Sequence, residues 1–249
     1  MHREARELLQ DLRGAALGTG DRLVARADEL LEVRLALHAR VLVDRHVSSV
    51  LSDAVERWTA PTLEGKLVRL EPLRPEHEEA LWLASRDSRT WQWLSAVQPR
   101  TTEEWHAFVE QALAAAEGGT EIPLVTVRRG EIVGSTRFLA LRPEHRSVEI
   151  GWTWLHPSAW RSGVNVEAKL LQLGHAFDVW GCRRVEFKTD ALNARSRGAL
   201  EALGATFEGV HRQHMLVREG ENRDSAWFSV IDREWPEVRA RLETRLAEG

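Results

Sequence analysis

Past residue 121 the chain alternates apolar and polar positions with a period of two. IPLVTVRR, IVGSTRFLALRP and SVEIGWTWLHP follow one another across short turns, the first of them Arg129, Gly130 and Glu131. This spacing predicts a three-stranded antiparallel meander. After a loop at Ser158 to Ser162 the period changes: Val166, Leu170, Leu173, Phe177 and Trp180 fall on one helical face, which Gly181 ends. A strand CRRVEFKTD, a helix ARSRGALEALG, and the strands FEGVHRQHMLVRE and RDSAWFSVID follow, the last two joined at Gly220, Glu221 and Asn222. WPEVRARLETRL then reads as a helix. Ahead of the meander, LEGKLVRLEPL reads as one strand and Arg74 to Ser85 as a helix with Pro75 in its first turn. Thr101 and Glu104 have the capping-box spacing that opens the helix TTEEWHAFVEQALAAA. The pattern is that of a mixed α/β layer.

The first sixty residues differ in texture. From Asp21 to Ala60 there is neither Gly nor Pro, which favours long helices, preceded by a helix from Arg3 to Leu17 and the turn Gly18, Thr19, Gly20. Val33, Leu35, Leu37, Ala39, Val41 and Val43 also alternate with period two, so a strand from Glu32 to Asp44 is the alternative. Helix is preferred because no turn signal bounds the run. Residues 1–60 therefore form a helical extension and residues 61–249 an α/β domain. Nine Arg against ten Asp and Glu make the extension nearly neutral and apolar enough to need a cover. A homodimer contact or a lid over the site is the expected role.

Composition narrows the function classes. With 249 residues, 43% of them hydrophobic, the chain can fill a sizeable core; 34 basic against 38 acidic residues leave a net charge of −4. Neither a nucleic-acid footprint nor a polybasic membrane patch is implied. A lone cysteine, a charged N-terminus and no apolar run of membrane-spanning length lead to the expectation of a soluble, cytoplasmic protein. Eleven Trp accompany no Tyr, so a phenol takes no part in any mechanism within this chain.

The segment richest in chemistry is EIGWTWLHPSAWRSGVNVEAKLL, a strand entering a helix through a loop whose only glycine is Gly163. Free amides at a helix start, with Arg161 beside them, form an anion site suited to phosphate; an ordinary solvated loop has the same spacing. Together with RRVEFKTDALNARSRGALEALGATFEG, HRQHM and RDSAWFSVIDREW, it makes the stretch from Gly65 to Trp235 resemble the GCN5-related N-acetyltransferase (GNAT) family. The resemblance is to the branch of the ribosomal-protein N-terminal acetyltransferases, the RimJ/RimL type.

That resemblance implies a mostly antiparallel sheet with a central splay, flanked by helices, and acetyl-CoA as cosubstrate. In the family's Q/R-x-x-G-x-G/A loop, Trp160 stands first, Gly163 in the middle and Asn165 last, so the match is partial. Asn165 carries a side chain where a backbone approaches pyrophosphate. The resemblance assigns the strand edge Trp152 to Leu155 to pantetheine, and makes Trp154, Leu155, Arg161, Ser162, Gly163, Val164, Asn165, Asn193 and Ser196 the cofactor-binding set. Asn193 and Ser196 match the family's N-x-x-S, although Asn193 is equally placed as a helix N-cap. Glu149 matches a glutamate of this branch and is the expected base, with an ion-paired surface carboxylate as the alternative; Glu186 stands in reserve. Ser196 is the expected donor to the departing thiolate.

Other residues rank lower. Cys182 reads as a small core residue. His211 and His214, three apart on a strand, are expected on opposite faces, so no metal site is expected. Trp91, Trp93 and Trp105 read as core rather than as an amine pocket. Arg183, Arg184, Arg195 and Arg197 make a candidate patch for the 3′-phosphate of CoA. Acceptor choice is expected to depend on the loops from Thr90 to Thr102 and around Gly220. The leading function is acetyl transfer from acetyl-CoA to a primary amine, either a protein N-terminus or a small amine, directly in a ternary complex. The alternatives are a non-catalytic acyl-CoA-binding or partner-binding module and an acetyltransferase for antibiotic-like amines.

Overall fold

The computed structural model describes residues 58–248, so the helices, the strand alternative and the dimer or lid role expected of the extension fall mainly outside the described residues. Eight strands form one sheet: β1 (Leu63–Glu64), β2 (Arg69–Pro72), β3 (Ile122–Arg128), β4 (Glu131–Arg142), β5 (Ser147–Leu155), β6 (Arg184–Asp190), β7 (Thr206–Val217) and β8 (Glu221–Ile231), in the order β1-β2-β3-β4-β5-β6-β8-β7. Every neighbouring pair is antiparallel except β5 with β6. The expected meander of β3, β4 and β5 is present.

Two of the expected boundaries shift. LEGKLVRLEPL is a hairpin rather than one strand: Gly65 N donates to Val68 O at 2.8 Å, and the turn is held from outside by the Glu167 carboxylate. It accepts the amides of Lys66, Leu67 and Val68 at 2.9, 2.6 and 2.7 Å. Gly65 is needed there, since a Cβ would stand 2.5 Å from Glu167 Oε2. The last hairpin turns at Arg218, Glu219 and Gly220, all with positive φ, and β8 already begins at Glu221.

The α-helices among the described residues are α1 (Glu78–Ala84), α2 (Thr102–Glu117), α3 (Val164–Gly174), α4 (Ala194–Leu203) and α5 (Trp235–Ala247). Thr101 caps α2 by accepting from Glu104 N, and Gly204, with φ 104°, closes α4. On one face of the sheet Val148, Ile150, Leu155, Val185, Phe187 and Phe228 pack with Val164 and Leu173 of α3 and Leu242 of α5. On the other face Leu81, Trp91, Trp105 and Val109 cover Val125, Val127 and Trp154. Trp91 and Trp105 are core, as expected, their indoles donating to Ser85 O and Glu78 O at 2.7 and 3.0 Å. Cys182 is core too, and burial pushes its thiol up to about 12. Among the described residues, this second core takes no member from β6, β7 or β8. Half of one face of the sheet is thus left to polar chemistry.

Candidate active-site cleft

The parallel pair β5 and β6 stays in register only over Ser147 to Glu149 and Arg184 to Glu186. Beyond that point β5 follows β4 and β6 follows β8, so a cleft opens between them. A bulge turns β5 away: its register against β4 slips between Gly151 and Trp154, and Trp152 holds φ 50°, a conformation that L side chains rarely adopt. Opposite the bulge Gly134 allows a close approach, because a Cβ there would lie 2.2 Å from Trp154 O.

The edge facing the cleft is backbone. The side chains of Trp154 and Leu155 are buried, one in each core. His156 N donates to Val133 O at 2.7 Å. The alternation of an antiparallel ladder therefore turns the N–H and C=O of Leu155 toward the open side. That carbonyl accepts the indole N–H of Trp160 at 2.9 Å. The Trp160 ring also lies 4.1 Å beneath the guanidinium of Arg195, from the first turn of α4 across the cleft, and 5.6 Å from that of Arg89. Trp160, in the loop before the next helix, thus joins both walls.

Beyond Trp160, Arg161 and Gly163 take positive φ (58° and 78°), and α3 starts at Val164 with Gly163 as its cap. Glu167 N is the first amide to bond back, to Gly163 O at 2.9 Å. The amides of Val164, Asn165 and Val166 accordingly point out of the helix end, a donor set suited to diphosphate. The carboxylate of Glu167 is occupied with the β1–β2 turn rather than with these amides. Ser162 and Asn165 are half-buried beside them, and Arg161 is exposed. With the open strand edge, these residues fit a CoA thioester, which supplies an activated acyl group when bound.

On the opposite wall Asn193 acts as the N-cap of α4, its Oδ1 accepting from Ser196 N at 3.0 Å, and is 7% exposed. Ser196 lies in the first turn of α4, half-buried. The arginines read as one patch are separated. Arg184 pairs with Glu186 and Glu208, Arg197 donates to Ala191 O, Arg195 stacks on Trp160, and Arg183 is exposed.

At the apex, where the strands part, Glu149 is 3% exposed. Gly151 makes room for it: a Cβ there would meet Glu149 Oε1 at 3.0 Å and Leu139 Cδ1 at 2.7 Å. Burial raises the Glu149 pKa above the ordinary carboxylate range, and Lys188, whose Nζ lies 3.0 Å from Oε2, pulls against that rise. Glu186 is committed instead to two guanidinium groups, with Arg142 at 2.5 Å and Arg184 at 2.8 Å. Glu149 is the carboxylate left with one cation.

Sequence reasoning missed three groups here. Lys188 shares a strand face with Glu186, which the i, i+2 spacing could have signalled; its pairing across the splay had no local sign. Lys169 is buried beneath the bulge, donating to Thr153 Oγ1, Gln172 Oε1 and Thr136 Oγ1 at 2.8, 3.0 and 3.3 Å. A lysine on the apolar stripe of α3 was its signal. The histidine pair is the third: a bulge at Gln213, φ 50°, puts His211 and His214 on the same side rather than on opposite faces. Their rings are 5.7 Å apart, and both pack on Trp227. The two loops expected to choose the acceptor do meet. Arg218 donates to Ser95 O and Leu94 O, beside a groove of about 330 Å³ lined by Trp91, Val97, Gln98, Arg218 and Glu221 among others.

The comparisons agree with this architecture. The acetyltransferase (GNAT) domain matches residues 68–206. The uncharacterised N-acetyltransferase YoaA of Bacillus subtilis (strain 168) is 24% identical over 173 residues, 69% of this chain and 97% of YoaA. A crystal structure of an acetyltransferase candidate from T. thermophilus is 40% identical, covers 76% of this chain and 99% of its own, and superposes with a TM-score of 0.71. Mycobacterium smegmatis RimJ, solved in complex with CoA-disulfide, is 24% identical over 72% of this chain and 88% of its own; its TM-score of 0.63 is a likeness of fold. No helix among the described residues is long and apolar enough to cross a membrane. The chain therefore belongs to the GNAT acetyltransferase family and is an acyltransferase of its N-acetyltransferase class.

Proposed function

We propose that the chain transfers acetyl from acetyl-CoA to a primary amine, directly and in a ternary complex. The carrying observation is the Glu149 carboxylate, buried at the point where β5 and β6 part and paired with Lys188. A carboxylate raised toward neutrality by burial is a better general base than an exposed one. Here Glu149 takes a proton from the amine, and Lys188 keeps enough of the carboxylate ionised to do so. The amides of Val164, Asn165 and Val166, with Gly163 and Arg161, would hold the diphosphate. The open edge of β5 from Trp152 to Leu155 and the half-buried Ser162 would flank the pantetheine arm. Ser196, in the first turn of α4, is the nearest replacement for a tyrosine donor, and it would donate to the sulfur as the thiolate leaves. Asn193 fixes the turn that presents it. Catalysis then rests chiefly on positioning two reactants in one cleft.

The RimJ/RimL-type resemblance of the sequence motifs supports a protein N-terminus as acceptor, while the small groove between the two loops supports a small amine. Thiol release measured across peptides and amines tests the proposal. Glu149→Gln should lower kcat/KM on the order of a hundredfold. The sign of the pH effect is fixed by the raised pKa: the basic form of Glu149 is lost as pH falls through it, so the wild type shows an acid limb that the variant lacks. Unchanged pH profiles for both would remove Glu149 from the mechanism.

A further inference from the structure

The acceptor side carries one charge that the reaction just described does not use. Arg223, on β8, is 6% exposed, and its Nε finds no hydrogen-bond partner among the described residues. No carboxylate there stands within ion-pair distance of it either. A buried guanidinium Nε without a partner costs free energy and is unusual in a folded interior.

Its placement gives the reason. Alternation along β8 puts Arg223 on the same face as Ser225 and Trp227, while Ala226, Phe228 and Val230 enter the opposite core. Trp227 stands opposite Lys188, whose ammonium lies 5.5 Å from its ring centroid and binds Glu149. Ser225 stands opposite Asp190 and contacts His214 Nδ1 at 3.0 Å. Arg223 is one alternation further on, past the end of β6. It lies two residues from Glu221, which lines the groove between the acceptor loops. One face thus runs from the groove through Arg223 and Trp227 to the base.

The carboxylates around it are already engaged elsewhere. Glu149 is paired with Lys188, Glu186 with two arginines, and Asp190 caps a turn by accepting Leu192 N at 2.9 Å. Arg218, a further cation near Arg223, is itself paired with Glu221 at 2.9 Å, while the fields of Asp190 and Glu149 reach Arg223 without contact. Both histidines lie against Trp227, and burial and the neighbouring cations depress the pKa of His214. The missing partner is an anion, and the planar fork of arginine suits a carboxylate.

We propose that Arg223 binds a carboxylate of the acceptor, so that the amine acetylated here also bears an acidic group. Trp227 forms the floor between that carboxylate and the nitrogen held near Glu149. This rests on the acetyl-transfer reading and adds the substrate class. The carboxylate belongs either to a small amino acid or to an acidic residue near a peptide N-terminus.

The test compares acceptors that differ only in the anion: β-alanine with propylamine, and Ser-Asp with Ser-Asn peptides, with thiol release as readout. The carboxylate member of at least one pair should have the higher kcat/KM on the order of tenfold or more, mostly through KM. The pair that shows it identifies the source. Arg223→Met should bring that ratio to about one and Arg223→Lys should leave it intermediate. Because the methionine removes a buried Nε that has no partner, the variant should melt at or above the wild type. Equal use of both members by the wild type, a ratio retained in Arg223→Met, or a clear fall in its melting temperature would each overturn the proposal. Silence with every amine would defeat the acetyl-transfer reading instead. Calorimetry of N-acetyl-β-alanine and N-acetylpropylamine against the CoA-loaded protein then decides separately, and equal affinities would refute the carboxylate site.

Discussion

The two faces of β5 treat buried charge in opposite ways. Beneath the strand, Lys169 meets only neutral oxygens, of Thr136, Thr153 and Gln172, while Glu167 nearby on α3 meets only backbone amides. Above it, Glu149, Lys188, Glu186, Arg142 and Arg184 meet one another, and Arg223 meets none of them within bonding distance. The first arrangement fixes geometry, since neutral acceptors and amides belong to the fold and cannot leave. The second can exchange partners with a ligand. Substitutions below the strand should therefore move stability, and those above it should move substrate kinetics.

The sharpest test of that division is Glu167→Ala. It removes a carboxylate that is 6% exposed and strands three amides, all of them in the β1–β2 turn about a hundred residues away in sequence. We expect a loss of about 3–5 kcal/mol in urea unfolding, with Glu167→Gln recovering part because an acceptor oxygen remains. A loss below about 1 kcal/mol would show that water replaces the carboxylate and that the turn is self-supporting.

Lys169 gives the next effect. Burial pulls its pKa down from 10.5 to about 7. Below pH 7 the amine is charged in both folded and unfolded chains, and the folded state bears the full cost of burying it. From about pH 7 to about pH 10 the unfolded chain binds a proton that the folded chain does not, so stability rises with pH, by up to about 1.4 kcal/mol per unit. Lys169→Met should remove that slope from melting curves recorded between these limits. Parallel wild-type and variant curves would mean that the amine stays protonated on its three oxygens.

What the sequence disclosed follows the same division. Strands, helices and caps came from local alternation and spacing, and β3, β4, β5 and the capped α2 lie where the pattern puts them. The β1–β2 turn escaped because the group that makes it a turn is on α3. Both bulges escaped because a positive φ at Trp152 or Gln213 is imposed by sheet pairing and has no signature in residue type. That is why the histidines were expected on opposite faces. Glu149 was legible through the family resemblance, but Lys188 and Arg223 were only polar positions on strands. Their meaning lies in which charges do or do not reach them across the splay.

The smallest effect belongs to the contact that joins the two walls. Arg195 leans from α4 over Trp160, whose indole holds the Leu155 carbonyl on the β5 side. An exposed cation–π contact is worth about 0.5–1 kcal/mol, enough to keep the walls tied in most molecules but not to lock them. If the contact must open before acetyl-CoA enters, Arg195→Ala should raise its association rate about two- to fivefold. The measurement belongs in about 0.3 M salt, where the lost positive charge matters little because screening acts beyond roughly 6 Å. A rate unchanged or lowered there would show that the stack leaves the passage open. Arg195 would then be a surface charge resting on a tryptophan, and the ligand would reach the amides of α3 without moving it.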